Sequence, residues 1–173
     1  RSVAIVGARQ ADYYGTEMAS YFAKELARCK VNVISGLAYG VDGAAHRGAL
    51  LEKGYTLGIL GSGINICYPK EHYKLYHAME QEGGLLSEYP LDQKPRSGLF
   101  PMRNRLIAAM SDGVLVTQAR SKSGSLITVD QALELGREIF AVPGRLEDEM
   151  SRGCNELIRS GAKLVMGVED LLE

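Results

Sequence analysis

Short apolar runs alternate along the chain with longer stretches whose apolar residues recur at helical spacing. Val3-Ala4-Ile5-Val6, Val31 to Ser35, Thr56 to Leu60, Leu85-Leu86-Ser87, Val114-Leu115-Val116, Ile139 to Val142 and Leu164-Val165 read as strands. Between them, Thr16 to Arg28, Val41 to Lys53, Lys70 to Gln81, Asn104 to Met110, Leu126 to Leu135, Asn155 to Ser160 and Val168 to Leu172 read as helices. The strands are continuously apolar rather than alternating, as expected where a parallel sheet is covered on both faces. The pattern predicts an α/β, doubly wound, mostly parallel sheet with helices on both faces. No repeat, linker or low-complexity segment interrupts it. Residues 1–173 therefore read as a single domain, and its opening at Arg1, directly in a strand, suggests excision from a longer chain.

In such sheets ligands bind beyond the carboxyl ends of the strands. That singles out the loops Gly7-Ala8-Arg9, Ser35-Gly36, Gly61-Ser62-Gly63, Ser87-Glu88, Thr117 to Ser125 and Pro143-Gly144. Gly admits a phosphate close to the backbone, and helix N-termini attract anions, so an anion-binding edge is expected. The first loop lacks GxGxxG spacing, which removes the main support for a dinucleotide cofactor. Arg9 instead offers a guanidinium fork to phosphate. Ser123-Gly124-Ser125 resembles a phosphate cradle without the Lys of a P-loop.

Charge adds to this picture through its distribution. Twenty Lys and Arg offset 21 Asp and Glu, leaving −1 overall, which argues against coating duplex DNA by bulk charge. Yet Gln93 to Ser111 holds Lys94, Arg96, Arg103 and Arg105 with no acid, and Arg120 and Lys122 follow. Such a stretch is commonly a solvated face. Here Phe100 lies among the cations in an expected loop, a combination suited to single-stranded nucleic acid.

Other candidates read more plainly as structure. Asp42 and His46, four apart on a helix, suggest an Asp–His general base, but a helix-start Asp and a packed His suffice. His72 and His77 lie five apart, off the three-or-four spacing of a helical metal face, and no metal site is expected. Glu88 is placed to cap Arg103 or Arg105. Cys29, Cys67 and Cys154 give no disulfide or zinc pattern and fit a reducing, cytoplasmic setting. No apolar run is long enough for a membrane span. Apolar residues from Asn155 to Leu172 exceed what a last helix and strand need, predicting a homodimer through that segment.

Read together, the loops resemble the DprA/Smf family of DNA-processing proteins. The resemblance rests on Ser35-Gly36-Leu37-Ala38, Gly40-Val41-Asp42, Ala45-His46, Gly61-Ser62-Gly63, Tyr68-Pro69 and Leu86-Ser87-Glu88. It continues through Phe100-Pro101-Met102-Arg103-Asn104-Arg105, Ser123-Gly124-Ser125-Leu126-Ile127-Thr128, Ala141-Val142-Pro143-Gly144 and Gly153-Cys154-Asn155. It covers nearly the whole chain. It implies an extended Rossmann-like fold that binds and protects single-stranded DNA in natural transformation and recombination, dimerises, and helps load a RecA-type recombinase. It implies no enzyme activity and no cofactor. Arg9, Lys70, Phe100, Arg103, Asn104, Arg105, Ser123, Gly124 and Ser125 are the nucleic-acid-binding residues expected from it. Gln118 stands where many members carry an acid. The competing expectation is a phosphoribohydrolase-like enzyme, whose PGGxGTxxE loop is absent here; Asp130 is a shorter, displaced acid.

Overall fold

The computed structural model describes residues 1–173. In chain order the strands are β1 (Ser2–Val6), β2 (Asn32–Ser35), β3 (Thr56–Ile59), β4 (Gly84–Leu86), β5 (Gly113–Val116), β6 (Glu138–Ala141) and β7 (Lys163–Leu164). The helices are α1 (Tyr13–Arg28), α2 (Val41–Leu51), α3 (Tyr73–Glu82), α4 (Leu99–Ala109), α5 (Leu126–Glu134), α6 (Arg152–Arg159) and α7 (Glu169–Leu172). The strands form one sheet ordered β4-β3-β2-β1-β5-β6-β7, and every pairing is parallel. The expected Rossmann-like architecture is therefore present, with an entirely parallel sheet.

The two-residue period of a strand sorts side chains onto the two faces. Val3, Ile5, Val33, Leu115 and Phe140 point to the face covered by α1, α2 and α7, where Phe22, Leu26, Ala45 and Leu171 close the core. Ala4, Val6, Ile34, Val114, Val116 and Ile139 point to the other face, against Ile107 of α4, Val129 of α5 and Cys154 of α6. Leu37, Leu60, Leu75, Tyr76 and Met79 make a smaller core beneath α3. Burial pushes the Cys154 thiol up to about 12, so it is an inert core residue.

Successive strands run outward from β1 to β4, and β5 then returns to the other side of β1. The strand order reverses between β1 and β5, which makes the loops after these two strands a topological switch point.

Two expectations are corrected here. Phe100 is not in a loop: α4 begins at Leu99, five residues before the predicted start. Pro101 sits in its first turn, where a missing N–H costs no helical hydrogen bond. The C-terminal apolar surplus also shrinks. Val165 and Leu171 are buried, and Leu157, Ile158 and Leu172 pack against the main cores. Only Leu164, on edge strand β7, and the neighbouring Met166 remain exposed.

Candidate nucleic-acid interface

A cleft of about 740 Å³ opens at the switch point. Val6 to Gln10 from the β1 loop, Arg120 and Lys122 to Ser125 from the β5 loop, and Arg96, Phe100, Arg103 and Asn104 around the start of α4 line it. The β1 and β5 loops are tied together by the Ala8 N–H, which donates to the Gln118 carbonyl at 2.8 Å.

Phe100 is the centre of the site. Its half-buried ring stacks on Tyr68, with centroids 5.5 Å apart and planes 29° from parallel. The Arg9 guanidinium lies 4.9 Å from the ring centroid and that of Arg103 lies 5.7 Å from it. Gly61 supports the ring from β3's loop: a Cβ there would stand 2.5 Å from Phe100 Cδ1. A bulkier residue at 61 would displace the aromatic.

Arg103 is structural as well as positive. It is only 3% exposed. Nη1 donates to the Gly36 carbonyl at 2.8 Å and to the Ile59 carbonyl, pinning α4 to the ends of β2 and β3. Nε donates to Asn104 Oδ1 at 3.1 Å, and Nη2 makes no hydrogen bond within the protein. Asp42, also buried, faces it across Gly36 and accepts from the Gly36 N–H at 3.0 Å. Burial pushes the Asp42 carboxyl above its ordinary range, and the Arg103 charge opposes that rise. A side chain at position 36 would collide with both, since its Cβ would lie 2.7 Å from Asp42 Oδ2 and 2.8 Å from Arg103 Nη2.

The cleft's charge is one-sided. Its lining holds Arg9, Arg96, Arg103, Arg120 and Lys122 against one acid, Asp42. None of these five cations makes an ion pair, whereas Arg28, Arg105, Arg152 and Lys163 do.

The expected residues do not all converge. Arg9, Phe100, Arg103, Asn104, Ser123, Gly124 and Ser125 line the cleft, but Lys70 and Arg105 do not. Lys70 is exposed just beyond Pro69, itself in a recess shared by Tyr68 and Phe100. Arg105 is held by Glu88, at 2.7 and 2.5 Å, so Glu88 does cap an arginine. The start of α5 is not an open anion cradle. The N–H groups of Leu126, Ile127 and Thr128 donate to the carbonyls of Ser123, Gly124 and Ser125, and the two serine hydroxyls pair at 2.8 Å.

The structural readings of the other candidates hold. Asp42 and His46 do not pair; His46 Nδ1 instead meets Thr56 Oγ1 at 2.7 Å. His72 Nδ1 donates to the Leu37 carbonyl at 3.1 Å and His77 pairs with Glu80. Gln118 is fully buried and lies outside the cleft lining. Its amide accepts from Asp12 N–H at 3.0 Å and donates to Asp12 Oδ1 at 2.9 Å, while Asp12 caps α1 through Gly15 N–H. Sequence reasoning missed Tyr68 as the partner of Phe100 and the Asp42–Arg103 arrangement. The signal for Tyr68 was a large aromatic beside a proline in a strand-end loop.

The chain is 44% identical over 173 residues to the DNA processing protein DprA of Bacillus subtilis, covering all of this chain and 58% of that protein. The X-ray structure of DprA from Streptococcus pneumoniae superimposes with a TM-score of 0.93 at 40% identity, over 99% of this chain and 60% of that one. DNA processing protein A from Helicobacter pylori, described for its unique single-stranded DNA binding mode, gives 0.90 at 34% identity, over 99% and 78%. The chain thus spans less than two thirds of the length of the Bacillus and Streptococcus relatives. No helix is long and apolar enough to cross a membrane. With the fold, the strand-end loops and a match over residues 1–173 in agreement, the chain belongs to the DNA recombination-mediator protein A family.

Proposed function

We propose that this chain binds single-stranded DNA at the switch-point cleft and protects it, without catalysis, during transformation and recombination. The observation that carries the reading is the set of unpaired cations around the Tyr68–Phe100 stack. Cations track phosphates and aromatic faces accept unstacked bases, a pairing suited to single strands. Duplex bases are already stacked and cannot reach the rings. The Helicobacter relative, described for its single-stranded DNA binding mode, supports the same assignment. Arg9, Phe100 and Asn104 make the contacts, Ser123, Gly124 and Ser125 form a polar wall of the cleft rather than an anion cradle, Lys70 extends the path beyond the cleft, and Arg103 holds the floor. The phosphoribohydrolase alternative needs a carboxylate at the substrate. Asp42 is engaged by Gly36, and Asp130 is exposed outside the cleft lining.

Handing the strand to a RecA-type recombinase, in the cytoplasm and as a homodimer, completes the proposal. The exposed Leu164 and Met166 beside an open sheet edge are compatible with self-association. Titrating labelled single- and double-stranded oligothymidylate–oligoadenylate substrates at two salt concentrations tests the binding. Single strands should bind far more tightly, with affinity falling as salt rises. Equal affinity for duplex would defeat the proposal.

A further inference from the structure

We propose that the same cleft binds a free nucleoside polyphosphate, which competes with the DNA strand for it. The inference rests on the single-strand reading of the site and adds a second ligand class to it. Three observations carry it.

The first is size. At about 740 Å³ the cleft falls in the range of small-molecule sites, ~300–1,000 Å³, so a nucleotide fits within it as one body. The second is charge density. Five cations face one buried carboxyl, and the serine hydroxyls at the start of α5 pair with each other, which leaves one hydroxyl proton free. A phosphodiester backbone brings one charge per nucleotide. A polyphosphate brings several on a single base and matches this concentration better.

The third is a contact between like charges that one buried carboxyl, Asp42, only partly offsets. Arg9 and Arg103 are held against one ring, at 4.9 and 5.7 Å from its centroid, with no ion pair for either. Arg103 is buried, and its Nη2 finds no partner in the protein. Two guanidinium groups sharing one aromatic repel, and a multivalent anion between them relieves that repulsion. The Tyr68–Phe100 stack beside them supplies a surface for a base, which distinguishes a nucleotide from a bare polyphosphate.

The test measures direct binding of ATP by equilibrium dialysis in EDTA, and its displacement of labelled oligothymidylate by anisotropy. ATP should bind and should displace the strand at concentrations roughly tenfold or more below those needed for adenosine or inorganic tripolyphosphate, ~1.4 kcal/mol or more. Arg96→Ala and Lys122→Ala, both at exposed positions, should weaken ATP binding, whereas Lys70→Ala should weaken the strand alone. Tripolyphosphate acting as well as ATP would overturn the proposal, because the cleft then reads charge only. Strand binding without ATP binding would overturn it while leaving the DNA reading intact. ATP binding without strand binding would sink the DNA reading and the proposed competition while leaving the nucleotide site, and binding of neither would sink both.

Discussion

Arg9 holds its guanidinium 4.9 Å from the centroid of the Phe100 ring, so the first strand's loop and the start of α4 meet in one cation–aromatic contact. The two side chains are 91 positions apart, and the β1–β5 switch point brings them together. Removing either affects the other. Arg9→Ala should lower the salt slope of single-strand binding by roughly 0.7, the value for one lost single-strand phosphate contact. Anisotropy titrations across salt concentrations read this directly. An unchanged slope would place Arg9 outside the phosphate path.

The ring of Phe100 is flanked by Tyr68, Arg9 and Gly61, leaving Tyr68 as the more exposed member of the stack. Tyr68→Ala should therefore cost binding as Phe100→Ala does, roughly 1–3 kcal/mol per stacked base, with little change in salt slope. If Tyr68→Ala binds like wild type while Phe100→Ala fails, the platform is Phe100 alone.

Arg105 was expected among the DNA contacts because the Phe100-Pro101-Met102-Arg103-Asn104-Arg105 segment resembles the DprA/Smf family. Helical geometry turns successive residues to different sides, and Arg105 reaches Glu88 instead. Arg105→Ala should change single-strand affinity by less than about twofold, and stability by the ~0–1 kcal/mol of an exposed pair. A tenfold loss of affinity would return Arg105 to the interface.

Much of this was legible from residue order. Apolar runs gave each strand, because buried parallel strands need no polar alternation, and Gly or Ser at strand ends marked the cleft. Phe100 was misplaced because the helix start precedes Pro101, and a proline in a first turn looks like a break. The role of Gln118 was hidden because its partner, Asp12, lies on another loop more than a hundred residues away. The exposed surplus at the C-terminus was overcounted because periodicity does not show that Leu157, Ile158 and Leu172 meet the core.

Arg103→Leu should unfold the site rather than merely weaken it. The substitution leaves the Gly36 and Ile59 carbonyls without their donor and Asp42 without its nearby countercharge. Breaking a buried charge arrangement on one side costs about 3–5 kcal/mol. Urea denaturation should show this as a lower midpoint at constant slope. A variant of full stability that has lost strand binding would instead make Arg103 chiefly a ligand contact.

Stability should fall as the solution is acidified from neutral, and His46 should be a principal cause. Thr56 gives its only hydroxyl proton to the Val33 carbonyl, so His46 Nδ1 must be the donor in the His46–Thr56 bond. That fixes the neutral tautomer and leaves Nε2 buried without a partner. Protonating Nε2 would bury a charge, and burial accordingly pulls His46 down to about 3. In the unfolded chain a histidine titrates near ~6.5. Between these values the unfolded state holds the extra proton, so stability is complete above about pH 6.5 and declines toward pH 3, by up to ~1.4 kcal/mol per pH unit for each proton. Burial lowers His72 as well, with the same sign. Asp42 is shifted upward and works in the opposite sense at the acid end, but it is common to wild type and variant. His46→Asn keeps a donor near Thr56 and cannot titrate, so its stability should depend less steeply on pH between about 6.5 and 5, the upper part of the window set by the unfolded histidine. Urea midpoints at three pH values check this, and parallel pH profiles for the two proteins would show that His46 does not govern the acid response.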